Sequence, residues 1–216
     1  MKDCIAIDGL SSTGKSTVGK IISKELNYLY LDTGAMYRVI TAYCLKNKID
    51  FLNDDEFQKN KKNINIIFKG DSSIYCNDDD YTDIIRTKDI CDKVSIVASI
   101  PHIRKFLVDQ QKKIAEKFNV VMEGRDIGTN VIPFAKNKFF LICDDDVRAK
   151  RRYNENLKKN ILCTLQDVKE NLKKRDFIDM TRKINPLKKA IDAVEIDTTH
   201  LTTQEVVKLM LNIIKK

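Results

Sequence analysis

Apolar and polar positions along the chain fall into short blocks whose period changes repeatedly. Cys4-Ile5-Ala6-Ile7-Asp8 is an apolar run of strand length that ends on a glycine. A helical spacing follows from about Lys15 to Leu26, then a second strand at Tyr28–Leu31 and a second helix over Ala35 to about Lys46. From roughly Ile49 to Ser99 the rhythm breaks. Ile64–Phe68 and Ser73–Cys76 alternate or are β-branched, Gly70-Asp71 is turn-forming, and Asp78-Asp79-Asp80 is a polar run, so an insertion with a small antiparallel sheet is predicted here. A helix is expected over Pro101–Lys117, where proline suits the first turn. Beyond it, strands are predicted at Val120–Met122, Lys138–Cys143 and Ala193–Ile196. Helices are predicted at Asp146–Asn160, Leu165–Arg182 and Thr202–Ile214. Thr202 followed by Glu205 is a capping-box pattern at the start of the last helix. Strands alternating with helices predict an α/β fold with a central, mainly parallel sheet covered on both faces.

The length of 216 residues suits one such unit carrying a small inserted subdomain. With 43% hydrophobic and 32% charged residues the chain can build a core. No apolar run approaches the ~20 residues that span a bilayer, and no leader pattern opens the sequence. A cytoplasmic protein without a membrane partner is expected. Cys4, Cys44, Cys76, Cys91, Cys143 and Cys163 are scattered with no C-x-x-C pair, and His102 and His200 do not neighbour them at metal-ligand spacing, so free thiols are expected. The net charge of +8 suits a polyanionic ligand. Basic residues interleaved with aromatics are missing, so no nucleic-acid partner is expected and the weight falls on individual arginines.

Gly9-Leu10-Ser11-Ser12-Thr13-Gly14-Lys15-Ser16 fits G-x-x-x-x-G-K-[ST] in full, after a predicted strand and opening a predicted helix. Gly9 and Gly14 let the backbone curl so that N–H groups of Ser11, Ser12, Thr13, Ser16 and Thr17 converge on phosphate oxygens, helped by the helix N-terminus. Lys15 reaches the β- and γ-phosphates, and Ser16 offers its hydroxyl to magnesium. This P-loop implies ATP with Mg2+ and a three-layer P-loop fold, but does not separate a kinase from a switch. Asn47-Lys48-Ile49-Asp50 spells a guanine-reading pattern, yet it sits at a predicted helix end too close to the P-loop, so a solvated helix terminus is expected.

A small-molecule kinase needs a second anion site. Thr33-Gly34 turns the chain into the second helix, whose first turns carry Arg38; a capped helix with a surface arginine would look the same. Glu123-Gly124-Arg125-Asp126-Ile127-Gly128-Thr129 follows a strand directly, where ligands of open α/β sheets sit. Arg148 and Arg152 are four apart, and Arg175, Asp179 and Arg182 follow i, i+4, i+7, so each set can share a helix face.

With these pieces together, the sequence resembles the bacterial cytidylate kinase family through nearly its whole length. The runs carrying the resemblance are the P-loop, Leu31–Arg38, Ile85-Arg86-Thr87, Gly124–Thr129, Arg148–Tyr153 and Arg175–Asp179. The resemblance implies phosphorylation of CMP and dCMP by ATP. It also implies a core over about 1–48, 100–145 and 184–216, an inserted monophosphate-binding subdomain over about 49–99, and a helical lid over about 146–183. It assigns Thr33, Arg38, Ser95, Arg104 and Arg125 to the acceptor monophosphate, with Ser95, Arg104, Arg125 and Asp126 touching the cytosine or its phosphate. Arg175, Asp179 and Arg182 would lie beside the acceptor, Asp179 toward the ribose, and Arg148 and Arg152 would be lid arginines over the donor phosphates. Catalysis then rests on Lys15, Arg125, Arg148 and Arg152. The protein is expected to act as a monomer. Leu10 stands where the family usually has proline, Ser11-Ser12-Thr13 replace a commoner Ala/Gly set, and Glu123 stands for the usual aspartate. Only backbone groups are expected to matter at 11–13. The remaining readings are another P-loop kinase acting on AMP, UMP, dTMP or shikimate, a nucleotide-gated ATPase or GTPase switch, and, on charge alone, a nucleic-acid-binding module.

Overall fold

The structure is a computed structural model that describes residues 2–69 and 73–215. In chain order it runs β1 (Cys4–Gly9), α1 (Lys15–Leu26), β2 (Leu29–Asp32), α2 (Thr33–Lys46), α3 (Asp54–Asn60), β3 (Ile66–Lys69), β4 (Ser73–Cys76), β5 (Asp79–Asp80), α4 (Lys88–Val97) and α5 (Pro101–Lys117). Then come β6 (Val120–Gly124), a π-type turn (Ile127–Val131), β7 (Asn137–Ile142), α6 (Asp145–Lys158), α7 (Leu165–Thr181), β8 (Val194–Asp197) and α8 (Thr203–Ile214). Two compact units result: Met1–Leu31 with Ile114–Lys216, and Asp32–Lys113. No helix among the described residues is long and apolar enough to cross a membrane.

The first unit is built on a five-stranded sheet of order β2-β6-β1-β7-β8. β1 pairs in parallel with β6, Ile5 opposite Val121 and Asp8 opposite Gly124, and with β7 on its other side; β8 continues in parallel beside β7. Every residue of β1 and β6 is buried, which is why both read as unbroken apolar runs rather than alternating ones. Ile5, Ile7, Val121, Phe139 and Leu141 of the sheet pack with Val18 and Ile22 of α1 and with Val206, Val207 and Met210 of α8. Each fully buried aliphatic of this kind contributes about 1.5–3 kcal/mol over leaving it in water. Gly9 ends β1 where a Cβ would lie 2.3 Å from the Leu141 carbonyl oxygen, so only glycine lets the chain leave the sheet so close to β7. α6 packs on α7 around Ala149, Val168 and Leu172. α7 and α8 each start with a capping box, Thr164 with Asp167 and the expected Thr202 with Glu205.

The second unit holds the antiparallel sheet β3-β4-β5, with Ile66 opposite Cys76 and Tyr75 opposite Asp80. The expected Gly70-Asp71 turn lies outside the described residues. α2 packs on α4, on β4 and on the 3-10 turn Ile84–Arg86. Two helices were not anticipated. α4 carries β-branched residues throughout, yet Ile90, Val94 and Val97 are the ones buried, a helical spacing that outweighs β-propensity. α3 buries Phe57 alone and is set by the Asn53 side chain, which accepts the Glu56 N–H, with Asp54, Asp55 and Glu56 in its first turn. Asn47 is the C-cap of α2 and Lys48 takes a left-handed φ of 55°, so the N-K-x-D string is a helix end. All six cysteines are free thiols.

Candidate active site

In the first unit, the loop between β1 and α1 is held open by two unusual backbone settings, Ser12 at φ 63° and Gly14 at φ 98° as the N-cap of α1. Lys15 is buried beneath the loop and its Nζ donates to the Leu10 carbonyl at 2.5 Å and to Thr13 Oγ1 at 3.4 Å. Burial, and after it the nearby Arg125 charge, lower its pKa to about 7 against the opposing pull of Glu123, Asp8 and Asp179. Ser16 and Thr17 are exposed in the first turn of α1. The Ser12 hydroxyl is buried with no hydrogen-bond partner. A curled loop, a helix N-terminus, a lysine Nζ resting on a loop carbonyl and an unpaired hydroxyl together suit a polyphosphate.

Arginines and carboxylates converge at the carboxyl ends of the same strands. Arg125, just past β6, donates from Nε to Asp179 Oδ2 at 2.8 Å, from Nη2 to Ser11 Oγ at 2.8 Å and from Nη1 to the Gly124 carbonyl at 3.3 Å. Asp179 and Asp176, both on α7, raise the pKa of Arg125 above its ordinary value against the cost of its burial. Arg148 of α6 is buried, bridging Asp176 Oδ2 at 2.7 Å and the Ser11 carbonyl at 3.2 Å, and it also pairs with Asp145. Burial pushes the Asp176 carboxyl up, with the Arg148 contact pulling it back. Asp126 is buried and accepts from Arg182 Nη2 at 2.8 Å and from Asn130 Nδ2 at 3.0 Å. Arg175 and Asp179 are buried on α7, whereas Arg182 has left the helix as its C-cap and also holds the Asn185 carbonyl. Arg152, by contrast, is half-exposed and pairs with Glu155 at 3.1 Å.

In the second unit Asp32 is the N-cap of α2. Its Oδ1 accepts the Ala35 N–H at 2.8 Å and its Oδ2 pairs with Arg38 at 2.9 Å. A Cβ at Gly34 would come within 3.1 Å of the Asp32 carboxylate and 3.3 Å of the Arg38 guanidinium, so glycine leaves room for the pair. Thr33 and Ser95 are buried. Arg104 is fully buried, donating to the Ala98 carbonyl at 3.1 Å with its guanidinium 5.8 Å from the Tyr37 ring centre.

Three residues near this chemistry were not singled out from the sequence, and a fourth takes a further part. Asp8 closes β1 and binds the turn after β6 through both carboxylate oxygens; a lone carboxylate ending an apolar strand was the available signal. Thr198, just after β8, donates to the Thr13 carbonyl of the loop at 3.0 Å and is itself gripped by Arg151, whose Nη2 reaches the Thr198 carbonyl at 2.6 Å. Tyr30 donates its hydroxyl to Glu123, giving the longer carboxylate a fixed partner. Ser11 engages Arg125 with its side chain, against the expectation that only backbone matters at that position. Magnesium finds no group of three carboxylate, histidine or cysteine ligands among the described residues. The hydroxyl of Ser16 beside a polyphosphate still fits this cation, which keeps several waters and takes substrate oxygens.

Comparison with known proteins agrees along the whole chain. The cytidylate kinase family model matches residues 5–216. A cytidylate kinase from Fusobacterium nucleatum subsp. nucleatum is 50% identical over 212 residues, covering 98% of this chain and 97% of that one. One from Bacillus cereus is 45% identical over 213 residues, covering 97% and 95%. Among solved structures, an uncharacterized protein from Eubacterium ventriosum superposes with a TM-score of 0.55 at 14% identity over 100% of this chain and 99% of its own. A shikimate kinase from Bacteroides thetaiotaomicron does so with a TM-score of 0.50 at 12% identity over 99% of each. These structural likenesses speak to the fold alone, but the family match and the identity to curated relatives go further: the chain belongs to the cytidylate kinase family.

Proposed function

We propose that this chain transfers the γ-phosphoryl group of ATP to CMP or dCMP, giving CDP or dCDP, as a monomeric enzyme of the cytoplasm. The observation that carries the reading is the joint placement, in one unit, of Lys15 under the phosphate loop and of Arg125 bound to Asp179, within a full-length family match. Two polyanions must be brought together, so the work is positioning and charge compensation rather than covalent chemistry.

The loop residues Gly9, Ser11, Ser12, Thr13, Gly14, Ser16 and Thr17 bind the donor phosphates, and Lys15 leaves the Leu10 carbonyl to follow the transferring group. The Ser16 hydroxyl would hold magnesium together with ATP, and the cation would supply charge neutralisation for the donor phosphates. Arg148 and Arg152 act as lid arginines on the donor side, Arg148 exchanging Asp176 for phosphate. Thr33, Arg38, Ser95 and Arg104 serve the acceptor phosphate and base, and Arg125 and Asp126 the phosphate or cytosine. Arg175, Asp179 and Arg182 serve the acceptor's sugar side, Asp179 accepting from the ribose. The acceptor phosphate is already largely deprotonated at neutral pH, so no strong general base is needed.

ADP release with Mg-ATP, offered CMP, dCMP, UMP, AMP, dTMP or shikimate separately, tests this. Turnover strongest with CMP and dCMP is the expected outcome, and Arg125→Ala should then hurt acceptor use more than ATP binding. Activity with a different acceptor alone would sink the cytidylate assignment.

A further inference from the structure

Asp8 has no part in the roles above, yet its setting is built for one. It is 4% exposed at the end of β1, and each of its oxygens has its own donor: Ile127 N–H on Oδ1 at 2.9 Å and Gly128 N–H on Oδ2 at 2.8 Å. Those two amides open the turn that immediately follows Arg125 and Asp126. The pairing of β1 with β6 puts Asp8 opposite Gly124, so the sheet register carries the carboxylate to that turn. A carboxylate can accept two converging N–H groups. An asparagine in its place has one acceptor and would set an NH2 against the other donor. An apolar residue would leave two buried amides without this partner, a cost of about 1–3 kcal/mol for each.

The geometry points to Asp8 as a positioning residue for the acceptor: its carboxylate fixes the turn that aims Arg125 and Asp126, so that acceptor affinity is set from the root of the donor loop. This rests on the functional reading above. Asp8 touches neither substrate; it acts through the backbone of Ile127 and Gly128. Donor loop and acceptor arm thereby share one anchor, and a change at residue 8 travels to the acceptor without altering any acceptor-binding side chain.

The test uses the full chain as wild type and as Asp8→Asn, with steady-state kinetics in Mg-ATP and CMP and amide exchange followed by NMR. The variant is expected to raise the KM for CMP roughly 10- to 100-fold, the cost of a misplaced binding group, while leaving the KM for ATP nearly unchanged. The Ile127 and Gly128 amides should exchange faster and lose the shift of a carboxylate-bound N–H. A rise in the KM for ATP equal to or larger than that for CMP would overturn the proposal, because Asp8 would then be acting through Lys15. An unchanged KM for CMP would overturn it equally. Should Asp8→Asn fail to fold, the wild type still decides: exchange at Ile127 and Gly128 as slow as in β6 supports the anchor, and fast exchange there refutes it. A wild type that turns over no cytidine monophosphate sinks the functional reading, whereas an active wild type whose variant keeps its KM sinks this inference alone.

Discussion

The unit formed by 1–31 with 114–216 buries Asp8, Lys15, Glu123, Asp126, Lys138, Arg148, Arg175, Asp176, Asp179 and Arg182, whereas the buried charged side chain of the 32–113 unit, among the described residues, is Arg104. In the first unit several of these charges meet partners within hydrogen-bond reach, Arg148 with Asp176, Arg182 with Asp126, and Asp179 with the partly buried Arg125. In the second, the pair Arg38–Asp32 is partly buried on both sides and doubles as a helix cap. Taking charges out of water is expensive, and close pairing only partly repays it. The first unit therefore carries a pre-set electrostatic arrangement at a cost in stability, and the second contributes a few arginines on a more ordinary apolar core.

The largest effect should come from the residue that bears this cost most directly. Lys15→Met should lower kcat by ~10²- to 10³-fold, as loss of a principal charge stabiliser does, measured as ADP release with CMP. It should also raise the melting temperature. Lys15 has a folded pKa of about 7 against an ordinary value of 10.5, so burying its charged form costs stability. That cost is full below pH 7 and vanishes as pH rises toward 10.5, so the stabilisation by Lys15→Met should be greatest in acid and shrink through that window. A variant both inactive and less stable at pH 6 would break the contrast between the two units.

Next in size, Arg182→Ala takes one buried guanidinium contact from Asp126, which keeps Asn130, and should cost about 3–5 kcal/mol of stability, read from urea unfolding. Arg38→Ala, removing a pair that keeps contact with solvent on both sides, should cost less, about 1 kcal/mol. Both should weaken CMP use, so stability rather than activity separates them. Equal losses would mean that the two units hold charge in the same way.

The contrast also explains what was legible in the residues alone. The parallel sheet was readable because β1 and β6 are buried on both faces and so contain unbroken apolar runs. The phosphate loop was readable because its backbone curl demands glycine at fixed spacing. Arg125 and Asp179 were picked out as site candidates, but their mutual contact joins residues 54 apart, and no local pattern encodes that partner. Asp8 and Thr198 were missed for the same reason, since each acts on backbone groups more than a hundred residues away. In the second unit α4 was hidden by its β-branched residues, which stand at helical spacing because α2 covers one side of them. The antiparallel strands there were visible in outline because Ser73–Cys76 alternates buried and half-buried positions.

A smaller effect isolates Asp8 from its neighbours. Burial pushes its pKa up to about 6 from 3.8, the two N–H bonds pull it down, Asp126 raises it and Lys15 lowers it. A carboxyl whose folded pKa lies above its unfolded value contributes stability below pH 4 and loses it as pH rises through 6. The wild type should therefore lose up to about 3 kcal/mol across that window from this group, and Asp8→Asn should lack that part of the slope. Parallel urea unfolding of the two proteins at pH 4 and pH 7 gives the difference directly, because every other carboxylate titrates in both. Identical slopes would mean that Asp8 is ionised at no net cost in the fold.

The smallest expected change is at Ser11. Its hydroxyl accepts one bond from Arg125, while Asp179 and the Gly124 carbonyl take the other donors. Removing one of three partners from a guanidinium that stays oriented by the other two should cost on the order of 1–2 kcal/mol. Ser11→Ala should accordingly lower kcat/KM for CMP by roughly 5- to 30-fold and leave ATP binding intact, since the Ser11 main chain is unchanged. An over-determined arginine tolerates such a loss; one held chiefly by Ser11 does not. A Ser11→Ala enzyme as damaged as Arg125→Ala would move the hydroxyl to the centre of the acceptor arm, and Asp179 would then be a counter-charge rather than the residue that aims Arg125.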